Sequence, residues 1–375
     1  MERKFILIFV LAITLLSSQC TENKTLMIVG SYTDGVPASG IKVYNLDQVS
    51  GETTLLSEVD SIINPSFIKI SDDGQFLFVV SESQLETDGY VSSYSVDIQS
   101  GKLTYLNRQS THGRNPVHIE IAPNQDALVV SNYTDPSISL YNIDKEGRIT
   151  PSLQHIAFQD SSIIKGRQDQ AHAHSSTFSV DGKYLYTHDL GADKVRGFIY
   201  KDTLNDEDLP DIGVPAGSGP RHFTFDQEGK YGYLLSELAG RLTAFRYNDQ
   251  DGMLSPIDEE STYGKKQEIY RSADIHASPT LDMIYVSNRG PEENTIAVFK
   301  KSKDGNLDFV QRADTGGDHP RNFAIAPEGN LIVIANQLSN NIVIKRLNKE
   351  TGKIEEVINE LKFEKPSTVQ IYKYH

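Results

Sequence analysis

Residues 65–82 read PSFIKISDDGQFLFVVSE. A proline opens the stretch, and Ile68 and Ile70 alternate around Lys69. Asp72-Asp73-Gly74 then supplies a tight turn, and Phe76–Val80 is a continuous apolar run ending on polar Ser81 and Glu82. Period-two alternation, a Gly-ended turn and a second apolar run are the marks of two antiparallel strands. The decisive observation is that this unit recurs. It returns as PVHIEIAPNQDALVVSNY from Pro116, AHSSTFSVDGKYLYTHDL from Ala173, PRHFTFDQEGKYGYLLSEL from Pro220 and PRNFAIAPEGNLIVIANQ from Pro320. A more degraded copy, SADIHASPTLDMIYVSNRG, starts at Ser272, and a bare first strand, PSTVQIY, starts at Pro366.

Between these anchors stand two further strand-like segments per unit, such as YVSSYSVD and LTYLNRQ on either side of Gly101. Four short strands per repeat of roughly 40–50 residues is the period of a propeller blade. The N-terminal segments LMIVGSYT, IKVYNLD and TTLLSEV are three strands lacking a first one, which PSTVQIY provides. The expected fold is therefore all-β: a single-domain seven-bladed β-propeller whose last blade is closed by the N- and C-terminal strands. Closure by the chain ends removes the exposed edge an open array would leave. The stretch KDTLNDEDLP (201–210) reads as an acidic loop, and nothing reads as a linker.

The chain has 375 residues, 38% hydrophobic and 23% charged, with a formal charge of −15. That balance argues against nucleic acid, whose phosphates need a basic face. Arg3-Lys4 followed by FILIFVLAITLL (Phe5–Leu16) has the form of a signal peptide and is too short to span a bilayer. SSQC follows and ends in the only cysteine, Cys20, in the pattern of a lipoprotein cleavage site. The expected division is a leader over 1–20, of lipoprotein type, and a propeller over 21–375. The protein is then exported to the periplasm or held at a bacterial membrane surface through lipid on Cys20, and it is expected to be a monomer. With Cys20 modified no thiol remains for disulfides or catalysis.

In a propeller the first strand of each blade lines the central channel, and the start of strand one shares a rim with the end of strand two. The residues after each anchor are Ser66, Val117, His174, Arg221, Ala273, Arg321 and Ser367. The second strands end at Glu82, Asn132, Asp189, Glu237, Asn288 and Asn336. His174, Arg221, Glu237 and Arg289 come from consecutive blades and are expected to converge at one mouth. A base, two guanidinium groups and a carboxylate suit acid–base chemistry on an anionic carbonyl substrate. His172, Glu82, Asn132, Asp189 and Arg321 are the expected substrate contacts around them.

Other readings of the same residues remain open at this level. A rim Arg and Glu can simply pair with each other, and strand-edge histidines can cap backbone groups. His118 and His222 fall two places after their anchors and are expected to point into the blade. His172-Ala173-His174 invites a metal with His188 or Asp189 as third ligand, since residues i and i+2 of a strand share a face. Glu82, Asn132, Asp189 and Asn288 offer an oxygen set for a hard cation such as Ca²⁺. The histidine set shows no fourth ligand and the oxygen set stays open as an alternative; the expectation adopted is no metal or other cofactor.

The ordered set HAHSSTFSVDGKYLYTHDLG, GSGPRHFTFDQEGKYGYLLSEL, VSNRG and GGDHPRNFAIAPEGNLIVIANQ resembles the seven-bladed lactonase family, which includes propeller-type bacterial 6-phosphogluconolactonases and fungal carboxy-muconate lactonizing enzymes. The resemblance covers roughly residues 25–375. It implies a metal-independent lactonase acting on a sugar-acid lactone, with the functional His, Arg, Glu and Arg falling on His174, Arg221, Glu237 and Arg289. On this reading His174 deprotonates the attacking water, and Arg221 and Arg289 hold the anionic group and the developing oxyanion. Glu237 orients the imidazole or an Arg, or protonates the leaving alkoxide. The rival readings are an exported propeller that binds a ligand or protein without turnover, and a cycloisomerase.

Overall fold

The computed structural model describes residues 24–82, 86–207 and 209–374; the leader expected over 1–20 and its Cys20 lie outside the described residues. Seven antiparallel sheets form one closed ring. Blade 1 joins the chain ends: Pro366–Lys373 is its inner strand and pairs with Thr25–Ser31, followed by Ile41–Leu46 and Thr53–Val59. The inner strands of blades 2 to 7 are Ile68–Ile70, Pro116–Ile121, Ala173–Phe178, Pro220–Phe225, Ser272–Ala277 and Pro320–Ile325. Among the described residues no helix is long and apolar enough to cross a membrane.

Five of the seven second strands, such as Ala127–Asn132 and Leu331–Asn336, are buried along their whole length, because neighbouring blades cover both their faces. Outer strands such as Leu103–Ser110 alternate with solvent and carry the polar residues. The core is accordingly seven seams rather than one centre. Each hydrophobic cluster joins two adjacent blades, as where Leu26, Ile28 and Val43 of blade 1 meet Leu77, Val79 and Tyr94 of blade 2. The 201–210 segment corrects the loop expectation. Thr203–Asn205 pairs with Lys194–Lys201 as the outer strand of blade 4, burying Leu204 while Thr203 and Asn205 face water.

Two details of the ring position every candidate side chain. First, one backbone hydrogen bond repeats in all seven blades at the end where the anchors lie. The N–H of Tyr32, Glu82, Tyr133, Leu190, Glu237, Arg289 and Gln337 donates to the carbonyl of Lys365, Asn64, Asn115, His172, Gly219, Arg271 and His319 respectively. These seven donors are the equivalent rim residues. Second, the residue after the anchor is skipped by the ladder: Pro116 pairs with Asn132 but His118 with Ser131, and the same shift occurs between Ala173 and Ser175, Pro220 and His222, and Pro320 and Asn322. The skipped residues, Val117, His174, Arg221 and Arg321, occupy β-bulges, which leave a residue unpaired and re-aim its side chain.

Candidate active site

The rim equivalence moves the second-strand set by one residue in several blades. Asn132, Asp189 and Asn288 are the last paired residues of their strands, whereas Glu82 and Glu237 stand one place beyond. Since successive side chains alternate faces, one step decides between channel and blade. Asn132 donates to Thr111 O at 2.8 Å and to Ser137 Oγ at 3.0 Å, and Asn288 donates to Thr262 O at 2.9 Å. Asp189 accepts from His172 N–H at 2.8 Å and from Arg196 Nε at 3.0 Å. All three are wholly buried fasteners between strands. The structure therefore does not bring Asn132 or Asp189 to the mouth as substrate contacts, nor does it assemble the oxygen set of the cation reading.

The His172–His174 pair also separates, because the bulge at His174 breaks the i, i+2 rule. His172 stacks on Tyr133 with centroids 4.1 Å apart and an interplanar angle of 9°, its Nδ1 2.8 Å from Tyr133 O. His188 faces the blade interior, with Nδ1 2.8 Å from Ser175 Oγ and its ring stacked on Phe223. No group of three or more ligating side chains forms among the described residues.

His118 and His222, expected inside the blade, line the channel instead, because the bulge leaves the two consecutive residues on the same side. Their centroids are 5.5 Å apart, and His222 lies 5.3 Å from His174. His222 Nδ1 is 2.8 Å from Asp274 Oδ1, and its Nε2 is 3.2 Å from Arg221 Nη1.

At the anchor mouth, three guanidinium groups converge on one carboxylate. Glu237 Oε2 accepts from Arg221 Nε and Arg289 Nη2, each at 2.9 Å, and Oε1 accepts from Arg167 Nη2 at 2.6 Å. Glu237 is only 5% exposed and Arg221 2%. Burial alone would raise the Glu237 pKa; Arg289, Arg221 and Arg167 outweigh it and hold the carboxyl far below its usual range. Glu237 thus stays ionised at neutral pH and has no proton to donate, which removes the acid role considered for it. Arg289 is further fixed by Nε donating to Arg271 O at 3.1 Å, and Arg221 by Nη1 donating to Ala273 O.

His174 sits beside this cluster, buried, with an edge contact to Tyr133 at 5.6 Å and no hydrogen-bond partner for Nδ1. Burial, then Arg221, His222, Arg321 and Arg289, hold its pKa well below 6.5, so the ring is neutral at neutral pH. A neutral imidazole beside two fixed guanidinium groups, with no competing acid, is a set of groups suited to general-base and oxyanion chemistry.

The mouth continues across blades 7, 1 and 2 as a cavity of about 740 Å³ lined by Tyr32, Glu82, His319, Arg321, Gln337 and Lys365 among others. Tyr32 donates to Glu82 at 2.7 Å, and the Arg321 guanidinium lies 5.1 Å from the Tyr32 ring centroid. His319 joins the two halves, its Nε2 3.4 Å from Arg289 Nη1. Arg167, Tyr32 and His319 escaped the sequence reading. Arg167 belongs to the connection into blade 4 and has no repeat equivalent, whereas Tyr32 is the blade 1 counterpart of Glu237 and could have been found by aligning the incomplete first repeat.

A family model described as "Lactonase, 7-bladed beta-propeller" matches residues 26–371. The chain is 46% identical to a protein of Formosa agariphila named 6-phosphogluconolactonase, over 93% of this chain and 99% of that one. It is 30% identical to the 6-phosphogluconolactonase of Bacillus subtilis, over 87% of this chain and 92% of that one. The solved structure of the periplasmic gluconolactonase PpgL of Pseudomonas aeruginosa superposes with a TM-score of 0.87 at 29% identity, covering 93% of this chain and 99% of that one.

Proposed function

The chain belongs to the seven-bladed β-propeller lactonase family, and from that membership we propose that it hydrolyses a sugar-acid lactone at the anchor mouth. The observation that carries the residue assignment is the convergence of the neutral His174 ring with two guanidinium groups locked by Glu237. His174 takes a proton from water as the water oxygen attacks the lactone carbonyl. Arg221 and Arg289 stabilise the tetrahedral oxyanion, which they can do without reorganising because Glu237 already fixes their planes. The ring C–O bond then breaks, and the imidazolium returns its proton to the leaving alkoxide. Glu237 and Arg167 are positioning residues in this scheme; His172 packs Tyr133 against His174.

The relatives named above act, by their names, on 6-phosphogluconolactone and gluconolactone. Export of this chain is supported by its leader sequence and by the periplasmic location of the P. aeruginosa relative. Acid release from 6-phosphogluconolactone, gluconolactone and simple aliphatic lactones, corrected for spontaneous hydrolysis and repeated with EDTA, tests the proposal. EDTA-insensitive turnover of a sugar-acid lactone is expected. Absence of turnover on the whole panel would leave a non-catalytic binding propeller as the account.

A further inference from the structure

The anchor mouth carries four guanidinium groups, Arg167, Arg221, Arg289 and Arg321, and the Lys365 ammonium against three carboxylates, Glu237, Glu82 and Asp34, the last of them paired with Lys365. In a chain of formal charge −15 this is a local cationic surplus. The surplus is not evenly spread. Arg167, Arg221 and Arg289 share Glu237, whereas Arg321 makes no ion pair among the described residues, and Glu82 is engaged by the Tyr32 hydroxyl. A half-buried guanidinium with no carboxylate at ion-pair distance, drawn on only at longer range by Glu82, faces a cavity large enough for a small ligand, an arrangement suited to an anion.

A departure from the repeat marks the same place. The residue before the anchor adopts a left-handed backbone in five blades, at Asn64, Asn115, Gly219, His319 and Lys365. Asn and Gly tolerate that conformation locally; His319 at φ 63° and Lys365 at φ 42° are costlier choices by about 1 kcal/mol. Both face the cavity that Arg321 opens into. Gln337 also stands in its wall.

We infer that the blade 7 to blade 1 side of the mouth is a subsite for an anionic group, a phosphate or carboxylate, carried by the lactone substrate at the end remote from its carbonyl, with Arg321 as the primary contact and His319 beside it. This rests on the lactonase reading and amends one part of the sequence expectation. Arg221 and Arg289 serve the reacting carbonyl, and the distal anion goes to Arg321. The substrate then spans from Arg289 to Arg321, with His319, which touches Arg289, between them.

The test compares kcat/KM for three substrates in the wild-type protein, Arg321→Gln and His319→Asn: 6-phosphogluconolactone for a phosphate, a glucarolactone for a carboxylate, and gluconolactone as the uncharged reference. The ratio of charged to uncharged kcat/KM within one variant cancels any folding defect. Wild-type preference for at least one charged substrate is expected, falling about 10–100-fold in Arg321→Gln, the loss of a hydrogen bond to a charged group. His319→Asn should lower the same ratio while equalling or exceeding the wild type in thermal stability, since Asn fits the left-handed backbone. Which charged lactone shows the preference identifies the anion. No wild-type preference for either, or a ratio unchanged in Arg321→Gln, overturns the inference. If no lactone turns over, the function proposed above fails, and calorimetry decides the subsite separately. Binding of 6-phosphogluconate at least tenfold tighter than gluconate, lost in Arg321→Gln, would sustain it, and equal binding would overturn it.

Discussion

The two mouths of the central channel are built from the same seven inner strands and hold charge in opposite ways. At the turn mouth, a cavity of about 280 Å³, the charged side chains are hydrogen-bonded within the protein. Lys69 pairs with Glu120 at 3.0 Å, and Asp274 accepts from His222 at 2.8 Å, His276 at 2.9 Å and Asn322 Nδ2 at 2.5 Å. At the anchor mouth three guanidinium groups share one carboxylate, a fourth has no ion pair, and a buried imidazole nitrogen has no partner. Satisfied groups hold a structure together; unsatisfied ones in a cavity are suited to a ligand. The comparison teaches that charge alone does not locate the site, since both mouths are polar. The surplus does.

Removing the carboxylate that three guanidinium groups share at the anchor mouth should break the contrast most severely. Glu237→Gln leaves three guanidinium groups facing one another, and loss of one partner from a buried ion pair costs about 3–5 kcal/mol. Urea unfolding should register that loss together with a fall in kcat/KM; a variant of wild-type stability would mean that Glu237 is not the hub of the cluster.

Arg289→Lys keeps the charge but not the fork that engages Glu237, Arg271 O and His319 at once. A loss of about 10–100-fold in kcat/KM is expected from hydrogen bonds to charged groups. Steady-state kinetics giving wild-type kcat/KM would show that a point charge suffices.

Acidification should loosen the channel through its histidines. Burial lowers His188 to about 3, and burial with Arg221 lowers His222 to about 4, against 6.5 when unfolded. Folded, these rings bind fewer protons than unfolded, so their contribution is intact above pH 6.5 and is lost progressively as pH falls toward those values. Each can contribute up to about 1.4 kcal/mol per pH unit across that window. Urea midpoints measured from pH 7 to 5 should fall accordingly; a constant midpoint would contradict the assignment of these rings as neutral.

The smallest effect belongs to the turn mouth. Lys69→Met removes a partly exposed pair and should cost no more than about 1 kcal/mol, with kcat/KM unchanged. A drop in activity from this substitution would place the chemistry at the wrong end.

The blade count, the closure by Pro366–Lys373 on Thr25–Ser31 and the single domain could all be read from the repeat, because propeller periodicity is written in every anchor and turn. Ring-facing residues directly after an anchor were legible for the same reason, which is how His174, Arg221 and Arg321 were selected. What was not legible is anything that depends on register within one residue. Reading Asn132, Asp189 and Asn288 as equivalents of Glu82 and Glu237 put strand fasteners at the rim, since apolar alternation does not mark where pairing ends. The bulge was invisible too, so His118 and His222 were assigned to the blade and His172 to the face of His174. Arg167 reaches Glu237 across 70 positions of sequence from an irregular connection, a contact no periodicity encodes.

The most direct measurement is the pH dependence of kcat/KM from 4 to 9 for the wild type and His174→Ala on the preferred lactone. The account predicts a wild-type acid limb well below pH 6.5, because the base must be neutral and burial among cations keeps it so. It predicts a loss of about 10²–10⁴ in the variant at pH 7, with that limb gone. A His174→Ala protein that keeps the wild-type rate and profile would contradict it.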